Sequence, residues 1–402
     1  MDKRRRDNRG RLLKTGESQE KKGRYRFSYY RDGKRKTFYS WKLLPSDKTP
    51  PGKKDGPCLR AKIADYRQEQ KLYAPISPYG CTVLEIVKKY VWQKRGLKKT
   101  TQAGLKNILK ILENDDFGKR NIKDVKLSDA QIWLIQLAQN GRRYSTVFGI
   151  RGVLRLAFQL AVEEDVINKN PFDFKLSNIL KNDSQKRMAL TEEQRDDFLN
   201  FILTDKWHSK YYDAIYILFH TGMRISEFCG LTLADIDMKE GNININHQLQ
   251  RLPDGAYSIT STKTSSGTRI FPMTPDVYVS FFNIIQNRKR QKIEPIIDGY
   301  SGFLFFDKKG MPFTTSNWGH IFSSLRKKYN QTHDIPLPPV SPHICRHTYC
   351  TSMARTGISP HILQYLMGHY EISTTLDVYT HFNLEDARRE MKRIEALEKQ
   401  EE

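Results

Sequence analysis

Arginine, lysine, histidine and tyrosine recur in the second half of the chain in an order that could carry phosphoryl transfer. Arg224 stands in Thr-Gly-Met-Arg-Ile-Ser-Glu, Lys263 in Ser-Thr-Lys-Thr, His343 and Arg346 in His-x-x-Arg, His369 in Met-Gly-His, and Tyr379 ten residues later. Two guanidinium forks can hold the non-bridging oxygens of a phosphodiester. Two histidines can donate hydrogen bonds or move protons, and a lysine can protonate a leaving oxygen. A tyrosine can be the nucleophile. Such a set would cut DNA without a metal. A covalent phosphoenzyme would conserve the energy of the broken bond, so no nucleotide cofactor is required. The chain accords with this scheme, having no GxxxxGK[ST] loop and no acidic cluster with metal-site spacing.

Each residue also has a plainer reading. A lone arginine is usually a surface charge, and Lys263 could be a solvated lysine near a strand turn. His343 and His347 are spaced to bind zinc from one helix face, but Ile344 stands where HExxH has glutamate. Tyr365, among Ile362, Leu363 and Leu366, reads as core, and Tyr370 follows His369 too closely to take the place of Tyr379. The co-occurrence of the six residues favours the chemical reading.

The elements that must position these residues are legible in outline. The sequence of 402 residues carries 68 Lys+Arg against 45 Asp+Glu, a net charge of +23, with 38% apolar residues, so it predicts folded domains with a basic surface suited to a polyanion. Residues 1–75 hold 23 Lys+Arg and 9 Asp+Glu. The first 22 lack apolar periodicity and read as a flexible basic arm. After them, two runs that alternate aromatic with basic residues flank Asp32-Gly33 and predict a hairpin, followed by a helix over residues 58–72. On that hairpin the aromatics read as core and Arg24, Arg26, Lys34 and Lys36 as candidates for DNA. Residues 75–80 read as a linker. Helical periodicity then runs through residues 80–180, opening with the capping box Thr82-x-x-Glu85, with Ser128 starting a later helix. Residues 181–186 read as a second linker.

From residue 187 the pattern is mixed. A capping box at Thr191-x-x-Gln194 opens a helix, and residues 242–272 predict antiparallel strands turning at Asp254-Gly255 and Ser266-Gly267. The tail places Leu384, Ala387, Met391, Ile394 and Leu397 on an amphipathic stripe. Five cysteines without a CxxC pair suit a reducing cytoplasm. The fold class is therefore multidomain α+β: a small sheet-plus-helix domain (1–75), an all-α domain (80–180) and a mixed, mainly α domain with a β-hairpin or sheet insertion (187–402).

The stretch Ser341-Pro-His343-Ile-Cys-Arg346-His-Thr resembles the tyrosine recombinases, or phage-type integrases. The likeness continues through Leu366-Met-Gly-His369 to Tyr379-Thr-His, and includes Thr221-Gly-Met-Arg224-Ile-Ser-Glu. It implies that Arg224, Lys263, His343, Arg346 and His369 surround a scissile phosphate. Tyr379 would attack it, giving a 3′-phosphotyrosyl link and a free 5′-hydroxyl. It further implies that residues 80–180 form a core-binding domain that clamps double-stranded DNA together with the catalytic domain. Residues 1–75 are similar to the arm-binding domain of conjugative-transposon integrases, whose three-stranded sheet binds sites beside the crossover. A tetramer on DNA, a terminal helix docked on a neighbouring subunit, and an excisionase or host DNA-bending protein are the partners that the resemblance implies. Two rivals stand beside it: a type IB topoisomerase, with nearly the same chemistry, and a catalytically inactive DNA-organising protein.

Overall fold

The computed structural model describes residues 5–379 except 32–33, 74–75, 78, 95, 185–187, 253, 263–264 and 290, and also Arg388 and Met391. Lys263 and the tail positions Leu384, Ala387, Ile394 and Leu397 lie outside the described residues. The chain divides into two compact units, Met1–Ser184 and Gln185–Glu402.

The first unit begins with an antiparallel sheet of β1 (Glu17–Gln19), β2 (Tyr25–Arg31) and β3 (Lys34–Ser40), in that spatial order. Alternation puts Tyr25, Phe27 and Tyr29 on one face, where Leu43 and Leu59 and Ile63 of helix α1 (Leu59–Tyr73) close a small core. The ring of Tyr66 lies 4.1 Å from that of Tyr29. On the other face, Arg26, Ser28 and Tyr30 oppose Tyr39, Thr37 and Arg35. Lys36 instead pairs with Tyr29, on the helix side of the sheet.

Residues 5–22 are folded, contrary to the expectation of a flexible arm. Arg11 ties the segment down, donating to Asp7 at 2.8 Å, to Asp47 at 2.7 Å and to the Tyr25 hydroxyl at 2.8 Å. Arg60 pairs with the buried Glu17 at 3.1 Å. Ion pairs here take the place of the apolar pattern that a sequence scan looks for. Burial alone would raise the Asp47 carboxyl, but the Arg11 guanidinium and the N–H groups of Leu44 and Leu43 hold it at about 2. A depressed carboxylate contributes stability above its ordinary value near 4, and that stability is lost as pH falls toward 2. Arg11→Met is expected to destabilise the sheet by about 3 kcal/mol, the low end for breaking a buried pair, because Arg11 is itself a quarter exposed. Hydrogen exchange of β1 and β2 at neutral and acid pH measures this. Parental protection in the variant, with parental acid sensitivity, would contradict it.

The rest of this unit packs α2 (Val83–Gln93), α3 (Lys99–Glu113), α4 (Leu127–Gln139) and α5 (Tyr144–Glu163) around Phe158, Phe172 and Trp133. The Thr82 hydroxyl accepts from the Glu85 N–H at 3.2 Å, and the Glu85 carboxylate accepts from the Thr82 N–H at 3.0 Å, completing the expected capping box. Helix α4 opens differently, with Asp129 accepting from the Lys126 N–H at 2.9 Å, while Ser128 sits inside the first turn. Ile76, in the stretch read as a linker, is buried and donates its N–H to Glu164 at 2.9 Å.

The second unit runs α6 (Glu192–Thr204), α7 (Tyr212–Thr221), α8 (Ile225–Gly230), β4 (Ile236–Asp237), β5 (Asn242–Ile245), β6 (His247–Arg251), β7 (Tyr257–Ser261), β8 (Arg269–Pro272), α9 (Pro275–Gln286), α10 (Thr315–Thr332), α11 (Pro342–Arg355), α12 (Pro360–Met367) and α13 (Ile372–Tyr379). Its core centres on Trp318, ringed by Phe228 and Phe305 at 5.6 and 5.1 Å. The expected strands form, with Asp254-Gly255 joining β6 to β7. Ser266-Gly267 does not join paired strands, because β8 hydrogen-bonds to β5 in a separate sheet of order β4-β5-β8. Asn-Ile-Asn-Ile alternation buries Ile243 and Ile245, and the register sets Phe271 and Arg269 opposite them. All five cysteines are free thiols.

Candidate active site

Two left-handed glycines shape the site. Helix α7 stops at Gly222, whose φ of 59° no β-carbon tolerates well, and the reversal delivers Arg224 to the start of α8. Helix α12 stops the same way at Gly368, with φ of 61°. Arg346 comes from the first half of α11, which Ser341 caps by accepting from the Ile344 N–H at 3.4 Å.

Three arginines converge on the end of α12. Arg269 Nε donates to the Leu366 carbonyl at 2.8 Å, Arg346 Nη2 to Met367 at 2.6 Å, and Arg224 Nη2 to Gly368 at 2.7 Å. These are the carbonyls that an α-helix leaves without intrahelical partners, at the negative end of its dipole. Arg346 Nη1 reaches back to the Gly222 carbonyl at 2.7 Å, so both left-handed turns are tied to one guanidinium. A single carboxylate, Glu227, is shared: Oε1 accepts from Arg224 at 2.7 Å and Oε2 from Arg269 at 3.1 Å.

Three guanidiniums and one carboxylate leave the pocket strongly cationic. Burial, then Arg224 and Arg269, bring the Arg346 guanidinium down to about 9. Burial again, then Arg346, Arg224 and Arg269, push His369 down to about 3, so its imidazole is neutral at pH 7. An anion set among these groups would relieve both effects. Each arginine carries five N–H donors. Arg224 and Arg346 therefore keep donors beyond those used on carbonyls and Glu227.

His369 Nδ1 lies 3.0 Å from the Thr375 hydroxyl, which fixes its ring against α13. Tyr379 ends α13, near Cys350 of α11, and donates its hydroxyl to the Ile358 carbonyl at 2.7 Å. Burial raises the phenol above its ordinary value, so it is protonated at neutral pH. His343 is exposed on α11, one turn before Arg346 and on the same side of the helix. The structure thus gathers Arg224, Arg346 and His369 directly, with Tyr379 and His343 on the elements beside them. Lys263 falls outside the described residues, between Thr262 and Ser265 in the connection from β7 to β8.

Glu227 and Arg269 went unassigned by sequence reasoning. Glu227 could have been found as the third residue after a helix-opening arginine, and Arg269 as a charged residue in register with Phe271 on an inward-facing strand. Tyr365, expected in the core, is half exposed and donates its hydroxyl to the Ile270 carbonyl at 3.0 Å. On the small sheet, Arg24 stacks on Tyr39 at 4.1 Å and pairs with Glu20, and Arg26 is exposed and donates to Ser18. Lys36 is exposed on the other face, and the side chain of Lys34 lies outside the description.

Gly368→Ala tests how tightly the site is built. The added methyl would sit 2.8 Å from Arg269 Nη1 and 3.1 Å from the Ser266 carbonyl, at positive φ. A stability loss of about 1–2 kcal/mol from the backbone alone is expected, with a larger loss of any activity that depends on the arginines. Thermal unfolding together with DNA cleavage checks this; a fully active, equally stable variant would show that the α12 terminus does not set the arginines.

Residues 188–386 match the phage integrase family, and residues 1–70 match the DNA binding domain of Tn916 integrase. The transposase from transposon Tn916 of Enterococcus faecalis is 42% identical over 403 residues, covering 100% of this chain and 99% of that protein. Among solved structures, the Tn1549 transposon integrase in complex with a circular intermediate DNA is 42% identical with a TM-score of 0.74, over 78% of this chain and 100% of that one. A lambda integrase tetramer bound to a Holliday junction shares the fold at 15% identity, with a TM-score of 0.50 over 89% and 96% of the two chains.

Proposed function

The chain belongs to the phage integrase family of tyrosine recombinases, and from that premise we propose that it cuts and rejoins double-stranded DNA through Tyr379 to integrate and excise a conjugative transposon. The observation that carries this reading is the convergence of Arg224, Arg346 and Arg269 on carbonyls 366–368 with one carboxylate among them. A pocket so rich in desolvated positive charge suits a phosphodiester bearing one negative charge, and even more a transition state with charge spread over its oxygens.

Arg224 and Arg346 would fork onto the non-bridging oxygens. The Tyr379 oxygen, released from Ile358, would attack phosphorus and pass its proton to neutral His369 or His343. The bond to the 5′ oxygen would break as Lys263 protonates it, leaving a 3′-phosphotyrosyl link. Attack by the freed 5′-hydroxyl of a second strand reverses the step, with no metal or nucleotide cofactor taking part.

Residues 1–75, 80–180 and 187–402 serve in this reading as arm-binding, core-binding and catalytic domains. The open face of the small sheet carries Arg24, Arg26, Tyr30, Arg35 and Tyr39 along the β2–β3 pair, and a two-stranded ribbon can enter the major groove. The related integrase bound to DNA and the related tetramer on a junction support double-stranded DNA as partner and a tetramer during strand exchange. An excisionase or a host DNA-bending protein would bias the direction. The test is to supply two separate duplexes carrying the element's joined ends and a target, in EDTA. Recombinant joints between them are expected; relaxation of supercoils without joints, or a strict need for divalent metal, would overturn the reading.

A further inference from the structure

Arg269 differs from the other two arginines in having no exposed side-chain surface. Its Nε, Nη1 and Nη2 serve the Leu366 carbonyl, the Gly267 carbonyl and Glu227 respectively. A phosphate entering from solvent would meet Arg224 first, whose side chain is a fifth exposed. Glu227 is 1% exposed; its Oε1 accepts from the Arg224 guanidinium, and its Oε2 accepts from both the Arg269 guanidinium and the Arg224 N–H. If Arg269 were absent, the whole carboxylate would fall to Arg224 and cancel the charge that should face the substrate.

We propose that Arg269 is a positioning residue for strand cleavage: by occupying Oε2 of Glu227 and the Leu366 carbonyl, it keeps Arg224 spread between Glu227 and Gly368 with its charge directed at the phosphate. This rests on the reading that the cluster receives the scissile phosphate. Arg269 also acts on His369. The groups facing that imidazole are Arg224 at the start of α8, Arg269 on β8, Arg346 and His347 on α11, and the Thr375 hydroxyl on α13. Burial and these cations together keep it unprotonated. Removing one cation lets His369 take up a proton at higher pH, and a protonated His369 can no longer accept one from Tyr379.

The test uses the full chain, single-turnover cleavage of a nicked duplex from about pH 4 to about 9, duplex affinity and thermal unfolding, for Arg269→Gln and Arg269→Lys. Arg269→Gln should cleave on the order of 10²-fold more slowly with affinity within a few-fold of the parent, and the acid limb of its rate profile should move to higher pH. Arg269→Lys keeps the charge but reaches fewer partners. It should lose roughly 10-fold in rate with the acid limb unmoved. A purely structural role would slow both variants in step with their unfolding temperatures and move neither limb, which overturns the proposal. Should Arg269→Gln not fold, Arg269→Lys decides alone: a parental rate or a displaced limb overturns it. A parent protein that forms no adduct through Tyr379 would instead remove the underlying reading.

Discussion

Tyr379→Phe is expected to form no covalent adduct with DNA while binding the same duplex within a few-fold of the parent. Phenylalanine keeps the ring that packs partly against the core of the second unit and deletes only the oxygen that would attack phosphorus. The deletion also removes the hydrogen bond to Ile358, which joins Tyr379 at the end of α13 to the loop before α12. That bond is part-buried, and losing it costs about 1 kcal/mol, too little to unfold the unit. The loss of adduct therefore reads chemistry and not stability. The measurement is gel retention in denaturant after incubation with nicked DNA, alongside a binding titration. An adduct formed by the variant would transfer the nucleophile to another tyrosine.

The second large effect is expected from Arg346→Lys. Arg346 is 8% exposed and bridges the Gly222 and Met367 carbonyls at 2.7 and 2.6 Å. A lysine ammonium cannot span both and still present a fork to phosphate, so one buried carbonyl loses its partner and the transition state loses a bidentate donor. Cleavage should fall on the order of 10²-fold or more, with affinity much less affected because the ground-state charge is retained. Single-turnover rates at saturating protein measure this. A rate within a few-fold of the parent would remove Arg346 from the transition state.

The contrast between these two residues and Arg269 shows what a sequence can carry. Arg346 and Tyr379 stand in local patterns, His-x-x-Arg and Met-Gly-His followed by tyrosine, whose spacing is set by helix turns and so survives in one dimension. The capping boxes at Thr82 and Thr191 were legible for the same reason. Arg269 has no such pattern, because its partners lie at positions 227, 267 and 366 and only the fold brings them together. The order of residues 5–22 is not legible in the sequence because Asp7, Arg11 and Asp47 hold them by charge, and apolar periodicity is blind to ion pairs. The face of Lys36 was a matter of parity. The register pairs Arg31 with Lys34, and each step back along the strands carries Lys36 to Tyr29 and Arg35 to the open face beside Tyr30.

The central claim is that a phosphotyrosyl bond forms at Tyr379 in the pocket of three arginines. Its most direct test is to trap the parent protein on nicked DNA in EDTA, digest both components, and identify by mass spectrometry the peptide that retains a nucleotide. The account predicts a 3′-phosphate remnant on Tyr379 and a free 5′-hydroxyl on the released strand. A remnant on Tyr365 or Tyr370, a 5′-phosphate linkage, or no covalent product under conditions where the DNA is bound would contradict it.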